Sequence, residues 1–264
     1  MNLKVNHKKV MILSVLSLFL PLFFSPVSQA KPMEKWLKSR KITHATGILN
    51  GEIYSNSVEA LKNTIQAQKT VVEIDFMYTS DGVLVCNHGW KTWKRKAPTY
   101  ATYMKSQTEG NGTPMDAKKA IELLGHTDIH LIIDTQEKNT AKVYQNIKDL
   151  CEECGVSSYM NNIIPQIYRE SDYKKIQRVY PFKECILECY KKNPKNITDI
   201  KNYGKICKRN NIQYIALYSN LLTKKRVDLL HKYGLIVIAH TVDSKKEYKQ
   251  LRKIGVDAVM SNTF

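Results

Sequence analysis

The chain has 264 residues, of which 41 are lysine or arginine against 24 aspartate or glutamate, a formal net charge of +17, and 43% are hydrophobic. That length supports a substantial core in one domain, and no Pro/Gly/Ser linker or low-complexity block divides it. The basic excess favours anionic partners, but the lysines are spread over many predicted helices, and nucleic acid is weakly supported, for there is no recognisable binding motif and no run of aromatics interleaved with arginine.

The first 30 residues stand apart. Lys4, Lys8 and Lys9 precede an apolar run over 11–24, and Ser28-Gln29-Ala30 supplies small residues before a cut near Lys31. A membrane anchor is the competing reading, but the run is shorter than the roughly 20 residues a spanning helix needs, and Pro21 and Pro26 interrupt its end. Residues 1–30 therefore read as a secretory signal peptide and 31–264 as one secreted or periplasmic domain. Cleavage removes three lysines and no acid, which takes the charge from +17 to +14.

From Lys41 onward, short apolar runs alternate with amphipathic patterns. Strands are predicted over 42–46, 71–77, 130–135, 163–168, 184–189, 213–218, 235–240 and 258–261. Helices are predicted over 57–68, 117–124, 139–154, 172–180, 197–209, 224–233 and 244–254. Eight such units predict an α/β fold, a closed (β/α)8 TIM barrel, with a doubly wound open sheet as the runner-up. The run 83–86 is extra: Ser80-Asp81-Gly82 reads as a turn, so this strand doubles back as a hairpin excursion after the second stave.

Within 71–77, alternation places Glu73 and Asp75 on one face and Val72, Ile74 and Phe76 on the other. Two neighbouring carboxylates need a reason. In such barrels the working site lies at the carboxyl ends of the strands, and polar residues collect there: His44, Glu73, Asp75, Asp134, Gln136, Gln166, Tyr168 and His240, with His88 returned by the hairpin. Three carboxylates beside histidines describe an oxygen-lined cation site next to acid/base groups. The loop 90–115 carries Trp90, Trp93, Tyr100 and Tyr103, which either line a pocket for a lipid headgroup or pack the loop against the barrel.

All six cysteines follow residue 30. Export makes at least one disulfide the expectation, in the 151–154 region or between Cys185 and Cys207; Cys86 reads as a buried strand residue. The spacings lack the paired clusters of a zinc module.

The motifs His44-Ala45-Thr46-Gly47, Ser55-Asn56-Ser57-Val58-Glu59-Ala60, Glu73-Ile74-Asp75, Thr79-Ser80-Asp81-Gly82 and His88-Gly89 resemble, in order and spacing, those of the glycerophosphodiester phosphodiesterase family. That family belongs to the wider group of phosphatidylinositol-phospholipase-C-like barrels. The closing His240-Thr241-Val242-Asp243 and Gly255-Val256-Asp257-Ala258 are similar to the family's last motifs, so the resemblance spans nearly all of 31–264, and the first motif is most like that of a secreted bacterial branch. The resemblance implies one divalent cation, Ca2+ or Mg2+, held by Glu73, Asp75 and Asp134. It makes His44 and His88 the acid/base pair, with Gln136, Gln166, Tyr168 and His240 toward the substrate. The expected substrate is a small phosphodiester or lysophospholipid, the expected partner surface an anionic membrane touched peripherally, and the expected state a monomer. Ala45, Gly89, Gln136 and Asn262 replace an arginine, an aspartate, a lysine and an aspartate of the family pattern. A sphingomyelinase-D-like phospholipase and a catalytically altered phosphate-binding relative are the alternative readings.

Overall fold

Short apolar runs that alternate in side-chain direction pair most readily as parallel strands when amphipathic helices cover one side of them. In the computed structural model, which describes residues 33–90, 94, 96–189 and 196–263, this is how the chain is arranged; the predicted signal segment and Trp93 lie outside the described residues. The strands are β1 (Lys41–Thr43), β2 (Val71–Tyr78), β3 (Leu84–Cys86), β4 (His130–Asp134), β5 (Ile163–Ile167), β6 (Ile186–Glu188), β7 (Tyr214–Tyr218), β8 (Ile236–His240) and β9 (Ala258–Ser261). The helices are α1 (Val58–Gln66), α2 (Tyr100–Tyr103), α3 (Ala117–Leu124), α4 (Thr140–Glu153), α5 (Glu170–Val179), α6 (Ile197–Arg209), α7 (Lys224–Lys232) and α8 (Lys245–Lys253). Seven of them start behind a side-chain cap that binds an otherwise unpaired backbone N–H: Ser57, Thr99, Asp116, Asn139, Asn196, Thr223 and Ser244.

The strand order is β1-β9-β8-β7-β6-β5-β4-β2, and β1 also pairs with β2, so the eight parallel staves close into a ring and the open-sheet alternative is ruled out. The β1–β2 seam rests on a single register pair, Thr43 with Val72, whereas β2 and β4 are matched over five. β3 lies outside the ring, antiparallel to β2, as the hairpin pattern requires.

Alternation divides each stave into two sets. Val72, Ile74 and Phe76 join Leu131, Ile133, Leu187, Ile215 and Val237 in the core between sheet and helices, while Ile42, Val71, Ile132, Ile164, Ile186, Tyr214, Ile236, Ile238 and Met260 fill the interior of the ring. Trp36, against Tyr214 at 5.1 Å between ring centroids, belongs to the same interior cluster. The next inward position toward the carboxyl end turns polar on five of the staves: Glu73 and Asp75 follow Val71, Asp134 follows Ile132, Gln166 follows Ile164, Glu188 follows Ile186 and His240 follows Ile238. All six are buried.

Two sequence expectations are corrected. β1 ends at Thr43 rather than running to 46, because His44–Thr46 wind into a 3₁₀ turn with positive φ at Ala45 (46°) and Thr46 (65°). This turn points the Ala45 N–H at Glu73 instead of at a neighbouring strand. The expected disulfide is absent, and all six cysteines are free thiols. Cys151 and Cys154 lie three residues apart at the end of α4, where Cβ atoms stand about 5–6 Å apart, beyond the roughly 3.5–4.5 Å that a disulfide needs. Cys185 and Cys207 are sealed in the core, where burial pushes the Cys207 thiol up to about 12.

Among the described residues no helix is long and apolar enough to cross a membrane.

Candidate active site

The register Asp75 with Asp134 sets two carboxylates side by side on adjacent staves, and Glu73 sits one inward position earlier on the same strand. One oxygen from each of the three lies within 4.8 Å of the others, all three residues are buried, and no other His/Cys/Asp/Glu group of this kind occurs among the described residues. Burial, then repulsion from Asp75 and Asp134, pushes the Glu73 carboxyl well above the usual range, against the pull of the Ala45 N–H at 2.7 Å. Its second oxygen, Oε1, is buried with no hydrogen-bond partner. Asp75 is held from both sides by Asn56, whose amide N–H donates to Oδ2 (3.0 Å) and whose Oδ1 accepts the Asp75 backbone N–H (3.2 Å). Tyr168 donates its hydroxyl to Asp134. Three hard oxygens at this spacing, mutually repelling and one of them unsatisfied, fit a divalent cation, which would relieve both costs at once.

His44 follows β1 directly. Its Nδ1 lies 2.8 Å from Asn262 Oδ1, and its Nε2 is 3.8 Å from Glu73 Oε2. Asn262 is itself fixed: its side-chain N–H donates to Asp243 Oδ2 (2.7 Å) and its backbone N–H to Asp243 Oδ1 (2.7 Å). With that amide nitrogen engaged, the atom facing His44 is an acceptor, so Nδ1 carries the hydrogen and Nε2 is the basic nitrogen. Burial lowers the His44 pKa, against the pull of Asp75 and of the Asn262 hydrogen bond, which keeps the imidazole neutral and able to accept a proton. His88 comes back on the strand-like return after β3, anchored by the Asn87 N–H to Asp75 carbonyl bond of 2.9 Å.

A cavity of about 210 Å³ is lined by His44, Glu73, His88, Asp134, Gln136, Gln166 and His240, seven of the nine residues singled out in the sequence. Asp75 joins them through the carboxylate cluster. Tyr168 does not line the cavity; its hydroxyl is committed to Asp134, behind the cluster. Gln136 is exposed at the rim, whereas Gln166 is buried with its Oε1 unpartnered.

Sequence reasoning missed Tyr54 and Glu188, both of which line the cavity. Glu188 is 3.4 Å from His240 Nε2, on the wall opposite the cluster. The strand-end rule that selected Asp134 selects Glu188 equally well, since it is the last inward residue of its stave. Tyr54 lies on an irregular loop where no periodicity marks it. Of the aromatics singled out in 90–115, Trp90 and Tyr103 follow the packing reading: they meet edge to face at 5.7 Å in a small core with Val85, and neither borders the cavity.

Comparison with known proteins agrees with the geometry. The model of the glycerophosphoryl diester phosphodiesterase family matches residues 48–264. A phosphodiesterase from Oleispira antarctica, solved in complex with the product sn-glycerol-3-phosphate, superposes with a TM-score of 0.66 at 16% identity, over 84% of this chain and 92% of the other. Glycerophosphodiester phosphodiesterases from Parabacteroides distasonis (TM-score 0.61, 18% identity, 84% and 92% covered) and Thermotoga maritima (0.59, 16%, 84% and 93%) share the fold. No curated protein matches the sequence. The family match covers most of the chain, and with the barrel and the carboxylate cluster it carries one conclusion: the chain belongs to the glycerophosphoryl diester phosphodiesterase family and is a phosphoric diester hydrolase.

Proposed function

We propose that the protein hydrolyses glycerophosphodiesters or related phospholipid headgroup esters, with Ca2+ or Mg2+ bound by Glu73, Asp75 and Asp134 and with His44 and His88 as the acid/base pair. The observation that carries this reading is the convergence of both histidines and the three-carboxylate cluster on one cavity. The cation, when bound, supplies charge neutralisation at the phosphoryl oxygens. His44, neutral and held by Asn262 with Nε2 toward the cavity, takes the proton of the attacking hydroxyl or water. His88, on the segment after β3, gives a proton to the departing alkoxide. Gln136, Gln166 and His240 orient the alcohol portions.

A small substrate is favoured over a lipid gripped by its chains, because Trp90 and Tyr103 are spent on packing the long loop. The sn-glycerol-3-phosphate bound to the Oleispira neighbour is of that size. The signal-like segment makes the chain an exported one that begins near Lys31, and amino-terminal sequencing of secreted material tests this; an intact Met1 on membrane-bound protein refutes it. Exposed Ile48 and Ile53, beside Tyr54 in the loop before α1, together with the net positive charge, suit peripheral contact with an anionic membrane.

A panel of glycerophosphodiesters and lysophospholipids, free and in anionic vesicles, assayed with each cation and with chelator, tests the function. Cation-dependent release of glycerol phosphate supports it. Absence of hydrolysis across the panel, or undiminished hydrolysis by His88→Ala, refutes it.

A further inference from the structure

The described residues that line the cavity include no lysine and no arginine. An anionic phosphodiester placed between His44 and His88 must therefore find its remaining hydrogen bonds on neutral donors. Tyr54, Gln136, Gln166, Tyr218 and Thr241 carry such donors at the wall. Of these, Tyr54 alone sets its ring against both histidines, edge-on to His44 at 4.9 Å and 79° and tilted to His88 at 4.5 Å and 43° between centroids.

Its placement is enforced. Tyr54 has φ of 62° and Asn56 of 43°, a region that residues with a Cβ rarely enter and that persists only where the surroundings over-determine it. The surroundings here are the paired hydrogen bonds of Asn56 to Asp75, which anchor the loop at the carboxylate cluster two residues after the tyrosine. The phenol is hydrogen-bonded to the side chain of Thr241, across the mouth from its own loop. With Thr241 as donor to the phenol oxygen, the Tyr54 O–H is left to point into the cavity. A phenol in water titrates at about 10, so near neutral pH the Tyr54 hydroxyl keeps its proton and remains a donor. A tyrosine that served packing alone would gain nothing from a strained backbone that sets its ring against two imidazoles at the cavity wall.

We propose that Tyr54 is a substrate-contacting residue: its hydroxyl donates a hydrogen bond to a non-bridging oxygen of the phosphate bound between His44 and His88, while its ring spaces the two imidazoles to either side. This rests on the phosphodiesterase reading above and assigns the donor that the lysine- and arginine-free wall requires.

Tyr54→Phe removes the hydroxyl and keeps the ring; Tyr54→Ala removes both. Calorimetric binding of sn-glycerol-3-phosphate, in the presence of Mg2+ or Ca2+, is measured alongside steady-state hydrolysis and the melting temperature. Tyr54→Phe should weaken that binding and lower kcat/KM by about 10- to 100-fold, the scale of a lost hydrogen bond to a charged group, with cation affinity and melting temperature unchanged. Tyr54→Ala should lower both readouts further. If Tyr54→Phe binds sn-glycerol-3-phosphate and turns over within twofold of wild type, the contact is wrong while the hydrolase reading stands. If wild type binds this ligand but hydrolyses no phosphodiester, the hydrolase reading fails, and a weaker-binding Tyr54→Phe still supports the contact. Failure of wild type to bind it at all overturns the proposal.

Discussion

Replacing Asn262 by Leu should slow turnover without loosening the cation, because the amide acts on His44 alone among the five residues given catalytic or metal-binding roles. The substitution removes the Oδ1 acceptor that lies 2.8 Å from His44 Nδ1 and takes the donor away from Asp243 Oδ2, while Ser261 Oγ still donates to Asp243 Oδ1. A neutral hydrogen bond contributes about 0.5–1.5 kcal/mol and one to a charged group about 1.5–3 kcal/mol. The bond to Asn262 passes from the first kind to the second when His44 takes a proton. The differential loss is therefore about 1–1.5 kcal/mol, roughly tenfold in kcat. Release of the imidazole to its other tautomer, with hydrogen on the nitrogen that must act as base, extends the expected fall to about 100-fold. Asn262→Asp keeps an acceptor toward His44 and should retain far more activity than the leucine variant, although it sets a second carboxylate beside Asp243. Steady-state hydrolysis at saturating cation, calorimetry of the cation and thermal melting on the three proteins give the readouts. A folded Asn262→Leu enzyme with wild-type kcat would refute the positioning of His44 by this amide.

Other outcomes follow from the same coordinates. Glu73→Gln should raise the melting temperature of chelator-treated protein near neutral pH, since it removes a carboxyl whose ionisation the fold disfavours through burial and repulsion from Asp75 and Asp134, and should abolish the further rise on adding Ca2+ or Mg2+; an unchanged cation response would contradict the ligand set. His231, whose pKa is raised chiefly by its hydrogen bond to Asp257, contributes stability that is present below the ordinary histidine range and lost as pH rises through its elevated value. His231→Gln should therefore destabilise more at pH 5.5 than at pH 8.5, by about 1 kcal/mol or less for this half-exposed pair, and denaturant melts at the two pH values decide it. Alkylation of the folded protein followed by peptide mass mapping should modify Cys154 first, because the other five cysteines are buried; equally fast labelling of Cys185 or Cys207 would show that their core is open.

The staves and helices were legible because burial leaves its period in the sequence. Val72, Ile74 and Phe76 against Glu73 and Asp75 is a pattern that only a strand with two different faces explains, and the hairpin to His88 followed from Ser80-Asp81-Gly82. The carboxylate cluster was legible for the same reason, since acids at inward strand positions have no structural use. What escaped notice lies where tertiary contacts, and not period, fix the chain. The turn after Thr43 and the position of Tyr54 depend on hydrogen bonds to Glu73 and Asp75 from residues 28 and 19 positions away. The cysteines misled because pairing depends on Cβ geometry, which neither spacing nor compartment reveals.

The bond between His44 and Asn262 joins residues 218 positions apart, from the first stave of the ring and the loop leaving the last. The proposed proton acceptor is thus oriented by a segment that follows every stave of the ring along the chain. The carboxylates of β2 and β4 are set side by side by strand pairing alone, but the imidazole has nothing to hold it until the turn after β9 is in place. A product truncated before Asn262 would therefore carry the acidic cluster with His44 left unoriented.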